Sequence, residues 1–323
     1  MYPLKFEPLL KSVVWGGDKI VPYKGIESTA KNVGESWELS AVHDNESVVA
    51  NGEFAGRTIT ELIKEYGPEL LGRHVYETYG ENFPLLIKFI DARDDLSIQV
   101  HPDDAIAQAV HGQPFGKTEM WYVVSADKDA HLMSGLSAEI TPEEYVSRVE
   151  NNTITDVLCD YKVQAGDVFF LPAGRIHSIG KGCFIAEIQQ TSDLTYRIYD
   201  FGRLGLDGKP RQLHTELAKD AIDYSVSEDY RTAYTHVLNE DTPLVECEYF
   251  KTHLLDLTDP LSVDVKSKDS FMIVICLEGQ GELKDSEGNV VALKQSETVL
   301  VPASVGNVTL VPSVSMTLMT CWL

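Results

Sequence analysis

The chain has 323 residues, long for a single domain, and its 43% hydrophobic and 24% charged content can supply one large β domain or two modest ones. A formal net charge of −23 and a pI near 4.7 exclude nucleic acid and anionic membrane as partners, because both are recognised by basic surface. The same acidity repels a phosphorylated ligand at long range, so any anion site must be a local cluster of Lys and Arg inside a cleft.

The opening stretch, MYPLKFEPLL, carries Pro3 and Glu7 and lacks the apolar core of about 7–15 residues that a secretory signal needs. No apolar run approaches the ~20 residues of a membrane span. Short runs rich in β-branched and aromatic residues then predict strands: WELSAV (37–42), PLLIKFI (84–90), LSIQVH (96–101), EMWYVV (119–124), DVFFLPA (167–173), CFIAEIQ (183–189) and LTYRIYDF (194–201). FMIVICL (271–277), ETVLVPA (297–303) and VSMTLMTCW (314–322) continue the series. Between them lie three helical patterns. RTITELIKEYGPELLG (57–72) breaks near Gly67-Pro68 and starts at Thr58, with Glu61 three residues on. TPEEYVSRVENNTITDVL (141–158) has Thr141 as cap and Pro142 at the first helical position. HTELAKDAIDY (214–224) is the third. Five scattered cysteines, without CxxC spacing, read as free thiols of a reducing compartment, so the expected location is the cytoplasm.

An internal echo organises the chain. VQAGDVFFLPAGRIHSIG (163–180) aligns without gaps to LKQSETVLVPASVGNVTL (293–310), placing Leu171-Pro172-Ala173 on Val301-Pro302-Ala303. The duplication predicts a mainly β protein of two cupin-like jelly-roll barrels with a few short helices. The expected division is a catalytic domain over 1–228 with helical additions and a degenerate β domain over 229–323. His177 falls on Asn307, and nothing like SIQVHP precedes the second copy, so only the first barrel is expected to hold chemistry.

In LSIQVHPDD, alternation turns Ser97, Gln99 and His101 to one face of a strand and Leu96, Ile98 and Val100 to the other. Glu119, opening an apolar run, and His177, after FFLPAG, complete a candidate metal set. Two imidazoles, a carboxylate and an amide oxygen suit a borderline divalent cation, zinc being the commonest. Taken singly, each has an ordinary reading: a hydrogen-bonded strand-end histidine, a solvated glutamate, a turn-capping glutamine. The other seven histidines have no comparable partners. The basic cluster demanded by the acidic surface is sought at Lys88, inside PLLIKFI, at Lys117, two residues before Glu119, and at Arg197 and Arg203. Glu187 is a carboxylate in an apolar run. Against these stand an edge-strand lysine for Lys88 and pairing with Asp193, Asp200 or Asp207 for the arginines.

Taken together, VVWGG (13–17), GESWELS (34–40), PLLIKFI, LSIQVHPDD (96–104), GKTEMWYV (116–123), FFLPAGRIHSIG (169–180) and EIQQTSDLTYRIYDFGR (187–203) closely resemble the type I mannose-6-phosphate isomerases, zinc enzymes of the cupin superfamily. The resemblance implies one Zn2+ per chain, held by Gln99, His101, Glu119 and His177. It implies an aldose-ketose isomerase that moves a proton between C2 and C1 through a cis-enediol, with Glu187, Lys117 and a bound water as candidates for that transfer. Arg197, Lys88, Ser97 and Arg203 would bind substrate, with Trp15 near the sugar. The expected partner is a small sugar phosphate, and the expected assembly a monomer or homodimer. The chain resembles the compact bacterial form, without a large inserted helical domain between GKTE and LPAGRIH. At Arg203 longer members often carry lysine, which leaves that contact the least determined. Two other readings fit the same barrel: another metal-dependent cupin enzyme acting on a sugar phosphate, and a non-catalytic sugar-phosphate sensor.

Overall fold

The computed structural model describes residues 1–323. It is built from three main antiparallel sheets. A six-stranded sheet runs in the order Val168–Leu171, Glu119–Ala126, Cys183–Gln190, Leu85–Asp91, Val33–Leu39 and Leu9–Gly17. Facing it is a five-stranded sheet in the order Leu158–Lys162, His131–Leu136, His177–Ile179, Ile98–Val100 and Tyr196–Tyr199. The third sheet has eight strands and draws on residues 241–322, with the edge pair Leu4–Lys5 added from the amino terminus. The mainly β reading and the cupin-like units hold, but the sheets lie face to face and do not close into barrels.

Alternation along each strand divides the apolar residues into layers. Ile90, Trp121, Val123, Phe169 and Ile185 of the six-stranded sheet meet Leu132 and Ile179 of the five-stranded one in an inner cluster. The outer face of the six-stranded sheet, with Ile87, Phe89, Met120, Ala186 and Ile188, packs on Leu62, Ile63, Leu70 and Leu71 and on Ile273, Ile275 and Met319 of the third sheet. The outer face of the five-stranded sheet, with Ile98, Val100 and Ile198, is covered by Tyr145, Val149 and Ala218. Leu96 departs from the expected alternation. The regular strand spans only Ile98–Val100, and Leu96, ahead of it, joins the inner cluster beside Trp15.

The three expected helices form, and their caps explain their starts. Thr58 and Glu61 make the reciprocal capping box of Ile59–Tyr66, after which Pro68–Leu71 begins a separate turn. Thr141 caps Pro142–Glu150, the single α-helix between the GKTE and LPAGRIH segments, so no large helical domain is inserted there. Thr215–Ala221 is the third. The helix Arg73–Tyr79 was not expected, and its start shows why. The Asp269 carboxylate, 196 residues away, accepts the backbone N–H of Arg73 at 3.0 Å and of His74 at 3.3 Å. Gly72 (φ +92°) permits this approach, since a Cβ there would lie 2.1 Å from the Asp269 carbonyl oxygen.

The internal echo is structural. Val168–Leu171 and Thr298–Val301 occupy aligned positions of the two copies, and His177 and Asn307 each begin the next strand. A buried ion pair fastens the units together: Lys24 donates to both Glu38 oxygens, at 2.9 and 2.8 Å, and to the Ser296 carbonyl at 3.0 Å.

Candidate active site

Two cross-strand rows, one on each facing sheet, make the site. On the six-stranded sheet the register sets Phe169 opposite Trp121, Trp121 opposite Glu187, Glu187 opposite Lys88, and Lys88 opposite Trp37. Glu119 lies one pleat along, opposite Gln189 and Leu171. On the five-stranded sheet Ser134 faces His177, His177 faces Gln99, and Gln99 faces Arg197. The distance from the His177 strand to the Arg197 strand is two strand spacings, roughly 10 Å.

At one end, ligand atoms of His101, Glu119 and His177 lie within 4.8 Å of one another, and all three residues are buried. Each imidazole is oriented from behind: His101 Nδ1 donates to the Leu194 carbonyl at 2.7 Å and His177 Nδ1 to the Arg175 carbonyl at 2.8 Å. Both Nε2 atoms therefore carry their lone pairs inward, 3.5 and 3.3 Å from the Glu119 oxygens. Burial, reinforced by the Lys117 ammonium, holds His101 well below its ordinary pKa and brings His177 down to about 3, so both rings are neutral at pH 7. Burial and the Glu187 charge push Glu119 upward. Its Oε1 is buried without a hydrogen-bond donor. The Gln99 amide end lies 3.2 Å from His177 Nε2, and a half-turn about its last bond presents either oxygen or nitrogen there. Neutral imidazoles aimed at a common point, together with an orphaned carboxylate oxygen, fit a cation such as zinc.

Beside this cluster is a cavity of about 220 Å³ lined by Trp15, Lys88, Ser97, Gln99, Lys117, Glu187 and Arg197, all anticipated from the sequence. Lys117 bonds Glu119, sits 3.1 Å from His101 Nε2 and lies 3.8 Å from Glu187. Lys88 is 3.4 Å from Glu187 and 3.6 Å from Glu35. Burial works against the Lys88 charge, but Glu35 and Glu187 outweigh it and hold its pKa above the ordinary value. For Glu187, burial works upward and the two lysines outweigh it, keeping the carboxylate ionised. Glu187 Oε2 accepts the Trp121 indole N–H at 2.8 Å, while Oε1 has no hydrogen-bond donor. Arg197 donates Nη1–H to the Gln212 carbonyl at 3.1 Å, and its Nε is buried without a partner.

Arg203 is the exception among the anticipated residues. It does not line the cavity but pairs with Asp200 at 2.8 Å, which is the ordinary pairing that its local sequence also allowed. Arg211 lines the cavity instead, with Glu35, Trp37 and Thr195, to which no role had been assigned, and with Asp193, considered only as a pairing partner for the arginines. Glu35 and Trp37 sit in the GESWELS segment, which carried a family resemblance and so was their one available signal. Arg211 lies in an irregular stretch with no periodicity to mark it.

Comparison with known proteins bears on the family and the fold. Residues 4–130 match the family described as phosphomannose isomerase type I, catalytic domain, and residues 240–320 the mannose-6-phosphate isomerase cupin domain. The mannose-6-phosphate isomerase ManA of Bacillus subtilis is 35% identical over 94% of each chain, and the mannose-6-phosphate isomerase of Streptococcus mutans 36% identical over 87% of this chain and 86% of that one. The crystal structure of the Bacillus subtilis mannose 6-phosphate isomerase superposes with a TM-score of 0.89 at 31% identity, covering 99% of both chains. Phosphomannose isomerase structures from Salmonella typhimurium share the fold, with a TM-score of 0.81 at 16% identity for one that covers 100% of this chain and 99% of its own. No helix of this chain is long and apolar enough to cross a membrane. The chain belongs to the type I mannose-6-phosphate isomerase family.

Proposed function

We propose that this protein interconverts mannose 6-phosphate and fructose 6-phosphate with one zinc ion held by Gln99, His101, Glu119 and His177. The observation that carries the reading is the row on the five-stranded sheet, in which His177 and Gln99 stand beside Arg197. One end of a six-carbon sugar phosphate then meets the ligand cluster while its ester meets a guanidinium. Charge supports the same reading. Lys88, Lys117 and Arg197 balance Glu35, Glu119 and Glu187, and both histidines are neutral, so a divalent cation would leave a surplus of two positive charges for a dianionic phosphate.

Bound zinc would supply Lewis-acid stabilisation of the negative charge that develops on a sugar oxygen. The rest falls to the chain. Arg197, with its free Nε, takes the phosphate in the paired geometry that a guanidinium favours. Trp15, Trp37 and Leu96 line the cavity with apolar surface against which the sugar packs. Glu187 is our first candidate for the proton transfer, because it is ionised and has one oxygen without a donor. It would take the C2 proton as that electron pair forms the C1=C2 bond and the C1=O pair moves onto O1, which gains a proton from water to give the cis-enediol. The proton would then return to C1 as O2 gives up its own proton to water and C2=O forms. Lys117 and Lys88 keep the Glu187 charge in place, and Ser97 offers a hydroxyl to the substrate.

A coupled assay for fructose 6-phosphate from mannose 6-phosphate, before and after chelation and zinc return, tests the proposal directly. Turnover that disappears with the metal and returns with it supports the reading. Turnover that survives full demetallation refutes it, and a redox dioxygenase would instead reveal itself by requiring oxygen.

A further inference from the structure

Arg211 reaches the cavity from a small loop whose two ends meet at one carboxylate. Residues 203–211 fold back on themselves, with Leu204 bridged to Pro210 and Gly205 N–H donating to the Lys209 carbonyl at 2.8 Å. Both feet of this loop grip Asp200, whose side chain is 7% exposed. Arg203 Nε donates to Oδ1 at 2.8 Å, and Arg211 Nε to Oδ2 at 2.7 Å, with a further Arg211 contact to Oδ1. Arg203 also donates to the Asp95 carbonyl, just ahead of Leu96, Ser97 and the Gln99 strand.

We propose that Asp200 is a positioning residue that aims Arg211 at the phosphate end of the cavity. Its second bond, through Arg203 to Asp95, ties that end to the backbone entering the ligand strand. The inference rests on the sugar-phosphate reading and deepens it. Arg203 and Arg211 both pair with this one acid, so one positive charge remains unbalanced there in a chain that is otherwise strongly acidic. Arg211 spends its Nε–H on Asp200 and lines the cavity next to Arg197, whose Nε is unpartnered. Two guanidiniums can then share one phosphate, one of them steered by the carboxylate behind it.

The test uses the zinc-loaded full chain. Asp200→Asn preserves the shape and removes the charge. KM for mannose 6-phosphate and Kd for inorganic phosphate should each rise about tenfold, while kcat falls less than about threefold. Arg211→Ala should raise KM at least as far, and in that background Asp200→Asn should add nothing more. A fall in Tm with KM and phosphate affinity unmoved would make Asp200 merely structural and overturn the proposal. So would an Asp200→Asn effect of equal size with and without Arg211. The phosphate measurement needs no turnover: if the wild-type chain fails to isomerise mannose 6-phosphate yet Asp200→Asn still weakens phosphate, the isomerase reading falls and the positioning role stands.

Discussion

The two β units share a strand plan and fill it in opposite ways. In the amino-terminal unit His177 pairs with Gln99, and Glu119 sits opposite Leu171. In the carboxy-terminal unit Asn307, aligned with His177, pairs with Asp264, and Met272 sits opposite Val301, which is aligned with Leu171. Asp264 and Asn307 are exposed, whereas Met272 is buried with Val299, Val301, Leu310 and Leu318 in a closed apolar core. The first unit instead buries Lys88, His101, Lys117, Glu119, His177 and Glu187, none more than 7% exposed.

The contrast shows what separates a site from a scaffold on one plan. Apolar burial contributes stability at each position, while buried charges return their desolvation cost only when each finds a partner. The first unit gives up part of its interior to polar groups, and the outer face of its six-stranded sheet is packed against Ile273, Ile275 and Met319 of the second. The second unit thus braces the sheet that carries Lys88, Glu119 and Glu187.

The sharpest way to break the contrast is to remove a ligand. His101→Ala should abolish metal content and lower turnover by at least about 10³-fold, beyond the ~10–100-fold typical of outer partners. Asn307→Ala, at the place in the second unit aligned with His177, should change neither metal content by plasma emission nor rate in the coupled assay. Next, Arg197→Ala should retain the metal while kcat/KM falls about 10²-fold, and near-normal kinetics would remove Arg197 from the phosphate. Met272→Glu grafts the carboxylate of the first unit into the apolar core of the second. It should cost about 3 kcal/mol in denaturant unfolding, because the carboxylate would be buried among Val299, Val301, Leu310 and Leu318 without a partner, and recruit no metal.

The smallest expected effect concerns pH. His131 lies on the five-stranded sheet between Asp160 at 2.8 Å and Asp95 at 3.4 Å, and these carboxylates raise its pKa from 6.5 to about 9. A raised folded-state value means that its contribution is complete below the unfolded pKa of 6.5 and is lost as pH climbs through about 9. The Tm advantage of wild type over His131→Gln should therefore be widest near about pH 6 and vanish above about pH 9, amounting to about 2 °C for this half-exposed group. An advantage that grows with pH would contradict the assignment.

Much of the site was legible because parity is local. Ser97, Gln99 and His101 share a face by their spacing of two, and the buried charges at Lys88 and Glu187 stood out within apolar runs. The echo at 163–180 and 293–310 likewise located the two units. Strands such as Leu9–Gly17 and His131–Leu136 were missed because serine, glycine and a charged or histidine residue interrupt their β patterns. Arg211 was missed because only its approach to Asp200 gives it a place, and that Arg203 pairs with the same carboxylate instead of lining the cavity was not legible either.

By itself the sequence determined which side chains share a strand face, where capped helices begin and which copy keeps its histidines, since each of these follows from covalent spacing along a few residues. Tertiary structure alone decided the register that sets Glu187 between Lys88 and Trp121 and His177 beside Gln99. It also decided that Asp269 starts the helix at Arg73, and that Arg211 enters the cavity while Arg203 does not. Register and long-range capping depend on strands and loops that meet only after the chain has closed distances of tens to hundreds of residues, and no local pattern encodes that meeting.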